Sequence, residues 1–103
     1  YHLGRIIRGA NDQVEKIIEF KDASDEEKLV TEINTIVMCF NRDWLFKNVD
    51  NLNNNNNQHE YYLTSLVNIA FKEGYEVKAI NIDPHEAIGL NTQDELNIAE
   101  GLL

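Results

Sequence analysis

The fold class is decided by the most apolar stretch of the chain, Ile36-Val37-Met38-Cys39-Phe40. Five consecutive apolar residues, bounded by polar ones, are typical of a strand that is covered on both faces. Ser24 and Glu27 form a capping box that predicts a short helix before the run, ending near Val30. Asn41 can cap another helix directly after it. A buried strand between two helices predicts an α/β layer structure.

The segment before these elements predicts a β-hairpin over residues 4–20. Apolar residues on both sides flank Gly9-Ala10-Asn11-Asp12, a cluster of residue types that favour tight turns. The segment after them begins with the asparagine-rich residues 53–57, which have no apolar side chains to bury and therefore predict a loop.

The carboxy-terminal half predicts a helix, a strand and a final helix. Apolar residues recur at helical spacing over 60–73, and Gly74 stands where a helix commonly ends. Residues 77–82 predict a second strand, and the capping box that begins at Thr92 opens the last helix. The predicted order is hairpin, helix, strand, helix, helix, strand, helix.

Composition excludes several classes of function. The chain has 103 residues, enough for one domain, and a net charge of −9 repels nucleic acids and anionic membranes. No apolar run reaches the length of a membrane span. The single Cys39 excludes an intramolecular disulfide and a cysteine-built zinc site, and it fits a reduced, cytoplasmic setting. Its apolar surroundings predict a buried, inert thiol.

Standard catalytic motifs are absent from the sequence. It contains no glycine-rich phosphate loop, no zinc-protease motif and no nucleophile elbow. Its three histidines lack the spacing of metal ligands, so we interpret them as exposed or locally bonded side chains. The start and the apolar end of the chain both predict a segment cut from a longer sequence.

Polar residues at the ends of predicted strands are the best candidates for a binding site. Gly4, Glu19, Asn34 and Asn91 each stand beside an apolar segment, and ligands of open α/β sheets bind near strand ends. The residues alone leave two interpretations open. The four form a site, or they are a turn glycine, a surface glutamate and capping asparagines.

Five short segments together resemble a known family. They are Leu3-Gly4-Arg5-Ile6, Ile18-Glu19-Phe20-Lys21-Asp22-Ala23, Glu32-Ile33-Asn34-Thr35, Gln58-His59-Glu60-Tyr61-Tyr62-Leu63-Thr64 and Gly89-Leu90-Asn91. In order and spacing they resemble the second half of the uridyltransferase domain of the bifunctional N-acetylglucosamine-1-phosphate uridyltransferase/glucosamine-1-phosphate acetyltransferases. The resemblance covers nearly the whole chain.

This resemblance implies a fold and a domain organisation. The fold would be part of a Rossmann-like nucleotide-diphospho-sugar transferase fold with a mixed sheet. Residues 1–103 would be its carboxy-terminal, sugar-binding half. The nucleotide-binding half and the hexapeptide-repeat acetyltransferase domain would lie outside the chain. The parent family is bacterial, cytoplasmic and trimeric, and it supplies a precursor of peptidoglycan in the cell wall.

The resemblance also implies a reaction and roles for individual residues. UTP and N-acetylglucosamine 1-phosphate would give UDP-N-acetylglucosamine and pyrophosphate with Mg²⁺ as cofactor, and the isolated chain would be inactive because it lacks the phosphate-binding half. None of its residues would be catalytic. The substrate-binding residues would be Gly4 through its amide, Glu19 with the sugar hydroxyls, Asn34 with the sugar or its N-acetyl group, Tyr62 and Thr64 behind them, and Asn91, which would also bind the metal.

Four positions depart from the family pattern. Ile36 and His59 replace glycines, Ser65 replaces an aspartate, and Gln93 replaces an arginine. Two alternatives to the active transferase therefore stay open. One is a divergent, non-catalytic sugar- or nucleotide-binding module, and the other is a related nucleotidyltransferase that uses another sugar or nucleotide.

Overall fold

The hairpin at the start of the chain forms as predicted. A computed structural model describes residues 2–87 and 92–102. In it β1 (Arg5–Arg8) pairs with β2 (Val14–Ile18) in antiparallel register, with Arg5 opposite Ile18. The connecting turn holds Asn11 and Asp12 at φ of 58° and 60°, a region that asparagine and aspartate tolerate better than most residues.

A β-bulge near the turn of the hairpin provides a contact with helix residue Asn68. Ile7 pairs with Lys16 but Arg8 pairs with Val14, so Glu15 is an extra residue in β2. The carbonyl group of Glu15 accepts a hydrogen bond from the Asn68 side chain at 3.1 Å. The bulge therefore provides an acceptor for the helix that packs on the hairpin.

A third extended segment lies along the open edge of β1. The Ile6 amide donates to the Glu32 carbonyl at 2.9 Å, and the Asn34 amide donates to the Gly4 carbonyl at 2.8 Å. Arg5 and Ile33 form an isolated antiparallel bridge. This short pairing brings Asn34 next to the start of the hairpin.

The two helices that surround the first predicted strand begin at their predicted caps. In α1 (Asp25–Lys28) both hydrogen bonds of the capping box are present between Ser24 and Glu27. In α2 (Arg42–Asn48) the Asn41 side chain accepts from the Trp44 amide at 3.0 Å. Both caps satisfy amides that a helix leaves without partners in its first turn.

The core lies between β2 and helix α3 (Ser65–Lys72). Leu66 is fully buried, and Val14 and Val67 are each 4% exposed. The helix is shorter than the predicted 60–73, because residues 60–62 are irregular and residues 63–64 form a turn. Its end is as predicted. Gly74 has a φ of 87°, and the Tyr75 amide donates to the Ala70 carbonyl at 3.0 Å, which is a Schellman motif.

The last helix, α4 (Gln93–Gly101), begins at the predicted cap. The Thr92 hydroxyl accepts from the Glu95 amide at 3.1 Å. Its apolar side lies largely open, since Ile98 is 59% exposed. In the part of the chain that the structure describes, no helix combines the length and apolarity that a transmembrane crossing requires.

Both strands predicted beyond the hairpin were wrong, and so was the burial predicted for residues 36–40. Residues 36–40 and 77–82 are irregular and have no strand pairing, and the side chains of Val37 and Ile80 are about nine-tenths exposed. Cys39 is exposed as well, so the prediction of a buried thiol was also wrong. A strand requires a partner for its backbone groups, and no segment within residues 2–87 or 92–102 pairs with either stretch. The structure is thus α/β with a two-stranded antiparallel sheet.

Candidate functional site

Gly4 lies between two of the other predicted site residues. Its carbonyl group binds the Asn34 amide, which fixes the third extended segment beside it. A Cβ atom on Gly4 would stand 3.5 Å from Oε2 of Glu19 and 3.2 Å from the Ile17 side chain. Because glycine leaves this space empty, the Glu19 carboxylate can face the backbone of Gly4 without obstruction.

Glu19 is held by a side chain from a distant part of the chain. The Thr64 hydroxyl donates to Oε1 of Glu19 at 2.9 Å, across 45 residues of sequence. Oε2 of Glu19 accepts no hydrogen bond from the residues that the structure describes. A half-buried carboxylate with one oxygen fixed and the other available can accept a hydrogen bond from a ligand hydroxyl group.

Asn34 has a similarly divided side chain. Its carboxamide oxygen accepts from the Ile36 amide at 3.2 Å, which turns the chain directly after the third extended segment. The carboxamide NH2 group is a double donor. Asn34 therefore adds donors to a region where Glu19 supplies an acceptor.

Tyr62, two residues before Thr64, lies beside a different carboxylate, that of Asp22. Its hydroxyl accepts from Nε2 of Gln58 at 2.8 Å. Burial raises the pKa of Tyr62, and the neighbouring Asp22 carboxylate raises this pKa further. The phenol is therefore neutral at physiological pH.

A half-buried ion pair between Arg8 and Glu32 fixes the third extended segment. The Arg8 guanidinium donates two hydrogen bonds of 2.8 Å to the two carboxylate oxygens of Glu32, two residues before Asn34. This hydrogen-bonded pairing lowers the pKa of Glu32 and raises the pKa of Arg8. A bidentate pair restricts orientation as well as distance, so it helps to set where Asn34 lies.

Two of the departures from the family pattern fall on left-handed backbone. Ile36 has a φ of 76° and His59 a φ of 53°, and the resemblance implies a glycine at both positions. Glycine adopts this region without cost, histidine tolerates it better than most residues, and a β-branched residue such as isoleucine is strained there. The Ile36 side chain is 74% exposed, so it does not fill the space beside Gly4.

The structure brings together Gly4, Glu19, Asn34 and Thr64, and it places Tyr62 nearby. Asn91 lies outside the described residues. Within residues 2–87 and 92–102, no three His, Cys, Asp or Glu side chains are arranged to hold a metal ion. Sequence reasoning missed Asp22 and the pair of Arg8 and Glu32 as site-forming residues. Only their proximity in sequence to Glu19 and Asn34 could have indicated them.

Comparison with known proteins gives matches over nearly the whole chain. The chain is 46% identical over 100 residues to the Bifunctional protein GlmU of Clostridium novyi (strain NT), and this match covers 97% of the chain and 22% of that protein. It is 47% identical over 98 residues to the Bifunctional protein GlmU of Bacillus subtilis (strain 168), covering 94% and 22%. The corresponding protein of Clostridium botulinum (strain ATCC 19397 / Type A) is 45% identical over 97 residues, covering 94% and 21%.

The chain therefore spans about a fifth of the length of the curated relatives that it matches. The resemblance drawn from the five short segments is confirmed by these matches. No family model matches the chain.

Proposed function

We propose that this chain, which resembles the bifunctional uridyltransferase/acetyltransferases along nearly its whole length, supplies the sugar site of a sugar-1-phosphate nucleotidyltransferase. The complete protein would form UDP-N-acetylglucosamine and pyrophosphate from UTP and N-acetylglucosamine 1-phosphate, for use in bacterial peptidoglycan synthesis. The observation that carries the proposal is the meeting of Gly4, Glu19, Asn34 and Thr64, four residues spread over 61 positions of sequence.

The chemistry of these groups suits a neutral sugar ring. Glu19 offers a carboxylate oxygen to hydroxyl protons, Asn34 offers an NH2 donor to an acetyl oxygen, and Gly4 lets the ring approach the backbone. The negative charge of Glu19 and the net charge of −9 on the chain both disfavour phosphate binding here. The proposal therefore assigns the nucleotide and the phosphates to a half of the protein outside this chain.

Nucleotidyl transfer, like phosphoryl transfer, needs alignment and charge neutralisation more than a protein nucleophile. Mg²⁺ would lower the repulsion between the two anionic substrates. Of the residues in this chain, the proposal assigns only Asn91 to the metal. One amide oxygen is too few for Mg²⁺, so the remaining ligands would come from substrate, water and the rest of the protein.

The proposal also concerns the two segments that were predicted to be strands. Segment 36–40 has the continuous apolar composition of a central strand, and segment 77–82 has that of a strand with the polar residues Lys78 and Asn81. Both segments expose large apolar side chains in this structure, among them Val37 and Ile80. We propose that they join a Rossmann-like mixed sheet whose other strands lie in the nucleotide-binding half. The isolated chain would then show no turnover.

A chimera tests this function. This chain replaces the aligned segment of the Bacillus subtilis relative, and pyrophosphate release from UTP and N-acetylglucosamine 1-phosphate is measured. We expect turnover, and we expect Glu19→Ala to lower kcat/KM for the sugar phosphate by about tenfold to a hundredfold, the value of a charged hydrogen bond. Glu26→Ala, at an exposed position of α1, is the matched control.

Other outcomes separate the alternatives. A folded chimera without turnover would contradict the proposal and favour a non-catalytic module, an interpretation that the strained Ile36 at a family glycine position supports. Turnover that appears only with another sugar phosphate or nucleotide would identify a related nucleotidyltransferase.

A further inference from the structure

The loop that precedes α3 is attached at two points to the short turn that contains Glu19. At one point the Thr64 hydroxyl donates to the Glu19 carboxylate at 2.9 Å. At the other the Asn57 amide donates to Oδ1 of Asp22 at 2.7 Å, across 35 residues of sequence. Glu19 and Asp22 belong to one turn, since the Asp22 amide donates to the Glu19 carbonyl at 2.9 Å.

The surroundings of Asp22 show that its carboxylate is enclosed. Oδ2 is inaccessible to solvent and receives no hydrogen bond of good geometry from the described residues, although the Tyr62 phenol lies beside the carboxylate. The Tyr62 hydroxyl itself accepts from Nε2 of Gln58 at 2.8 Å. A buried carboxylate is costly unless it is hydrogen-bonded, so the bond from the Asn57 amide to Oδ1 is one that the fold needs. Asp22 is therefore tied to the loop and is not a solvated surface charge.

We propose that Asp22 is a positioning residue for Glu19. Its bond to the Asn57 amide holds the start of the loop, so that the end of the same loop presents Thr64 to the Glu19 carboxylate. This inference rests on the proposed function, in which Glu19 binds sugar hydroxyls. Asp22 itself touches no substrate in this arrangement. Its loss would weaken sugar binding and leave the chemical step intact.

The first test uses the chimera and separates KM from kcat. Asp22→Ala removes the acceptor for Asn57, and we expect KM for N-acetylglucosamine 1-phosphate to rise about tenfold, with kcat and KM for UTP little changed. Asp22→Asn keeps a side-chain oxygen for the Asn57 amide and should restore most of the affinity. Asp43→Ala, whose carboxylate is 93% exposed, is the control. An unchanged KM in a folded Asp22→Ala chimera would overturn the inference.

The second test uses the 103-residue chain and needs no turnover. In ¹⁵N-resolved hydrogen exchange, the Asn57 amide should be protected in the wild type and lose that protection in Asp22→Ala. The same variant should shift the amide resonances of Glu19 and Thr64, and Asp22→Asn should shift them less. Protection of Asn57 that survives Asp22→Ala, or unmoved Glu19 and Thr64 resonances, would refute the positioning role even if the chimera is active. An inert wild-type chimera would refute only the proposed function, because the exchange experiment still decides the role of Asp22.

Discussion

The hairpin and the two segments 36–40 and 77–82 follow the same sequence rule but have opposite structures. Both regions are rich in β-branched and aliphatic residues, and both predict strands. In the hairpin, Val14 is almost fully buried where β2 packs against α3. In the second, Val37 is 90% exposed. The two strands of the hairpin pair with each other across a short turn, whereas the other segments have no partner strand among the described residues. Apolar composition thus predicts which segments need a partner, and only pairing makes them strands.

The largest expected effect comes from shortening a leucine in the packed core and comparing it with the same change at an exposed position. Leu66→Ala leaves a cavity between α3 and β2, and we expect it to lower the free energy of unfolding by about 2–5 kcal/mol. Leu29→Ala, at a position that is 80% exposed, should change it by less than about 0.5 kcal/mol. Urea denaturation followed by circular dichroism measures both. Equal losses in the two variants would show that the core is not where the structure places it.

A smaller effect comes from the strained residue that begins the first unpaired segment. Ile36→Gly relieves a left-handed conformation that costs isoleucine about 1–2 kcal/mol, less the greater flexibility of glycine in the unfolded chain. We expect a net stabilisation of about 1 kcal/mol. His59→Gly should stabilise less, since histidine adopts this region more readily. Melting temperatures of the two variants test the ranking. A destabilised Ile36→Gly variant would mean that the segment has another backbone conformation.

The smallest effect concerns pH and distinguishes the paired region from the unpaired one. The Arg8 hydrogen bonds lower the pKa of Glu32, and the Ser24 backbone amide and Lys16 lower the pKa of Glu27. The unfolded chain therefore binds these protons more tightly than the folded one. Stability from these groups is complete above the ordinary glutamate pKa, near 4.3, and is lost as pH falls through the lower folded values.

Urea midpoints measured from neutral to acidic pH should show this loss, and Glu32→Gln should make it shallower. A Glu32→Gln profile that matches the wild type would show that the bidentate pair with Arg8 does not form in solution.

Local features of the fold were predictable from the sequence. The hairpin, the caps at Ser24, Asn41 and Thr92, and the helix end at Gly74 all depend on residues within a few positions of one another. The start of α3 was placed too early. Before this helix, His59 adopts a left-handed backbone conformation and the Gln58 side chain donates to the Tyr62 hydroxyl. Apolar periodicity predicts neither feature.

The candidate site was predictable only in part. Glu19, Asn34 and Gly4 stood out because they terminate apolar segments, and the family resemblance added Tyr62 and Thr64. Asp22 did not stand out, because its importance depends on the asparagine-rich loop folding back across 35 residues. Long-range contacts of this kind follow from the packing of α3 on β2, and residue spacing alone does not reveal them.

The proposed function requires that Gly4, Glu19, Asn34 and Thr64 form one sugar-binding surface. Titration of the ¹⁵N-labelled chain with millimolar N-acetylglucosamine 1-phosphate, followed by heteronuclear NMR, tests this requirement. We predict concentration-dependent shifts that cluster at these four amides and disappear in Glu19→Ala. Shifts confined to other parts of the chain, or none at these four positions, would contradict the claim.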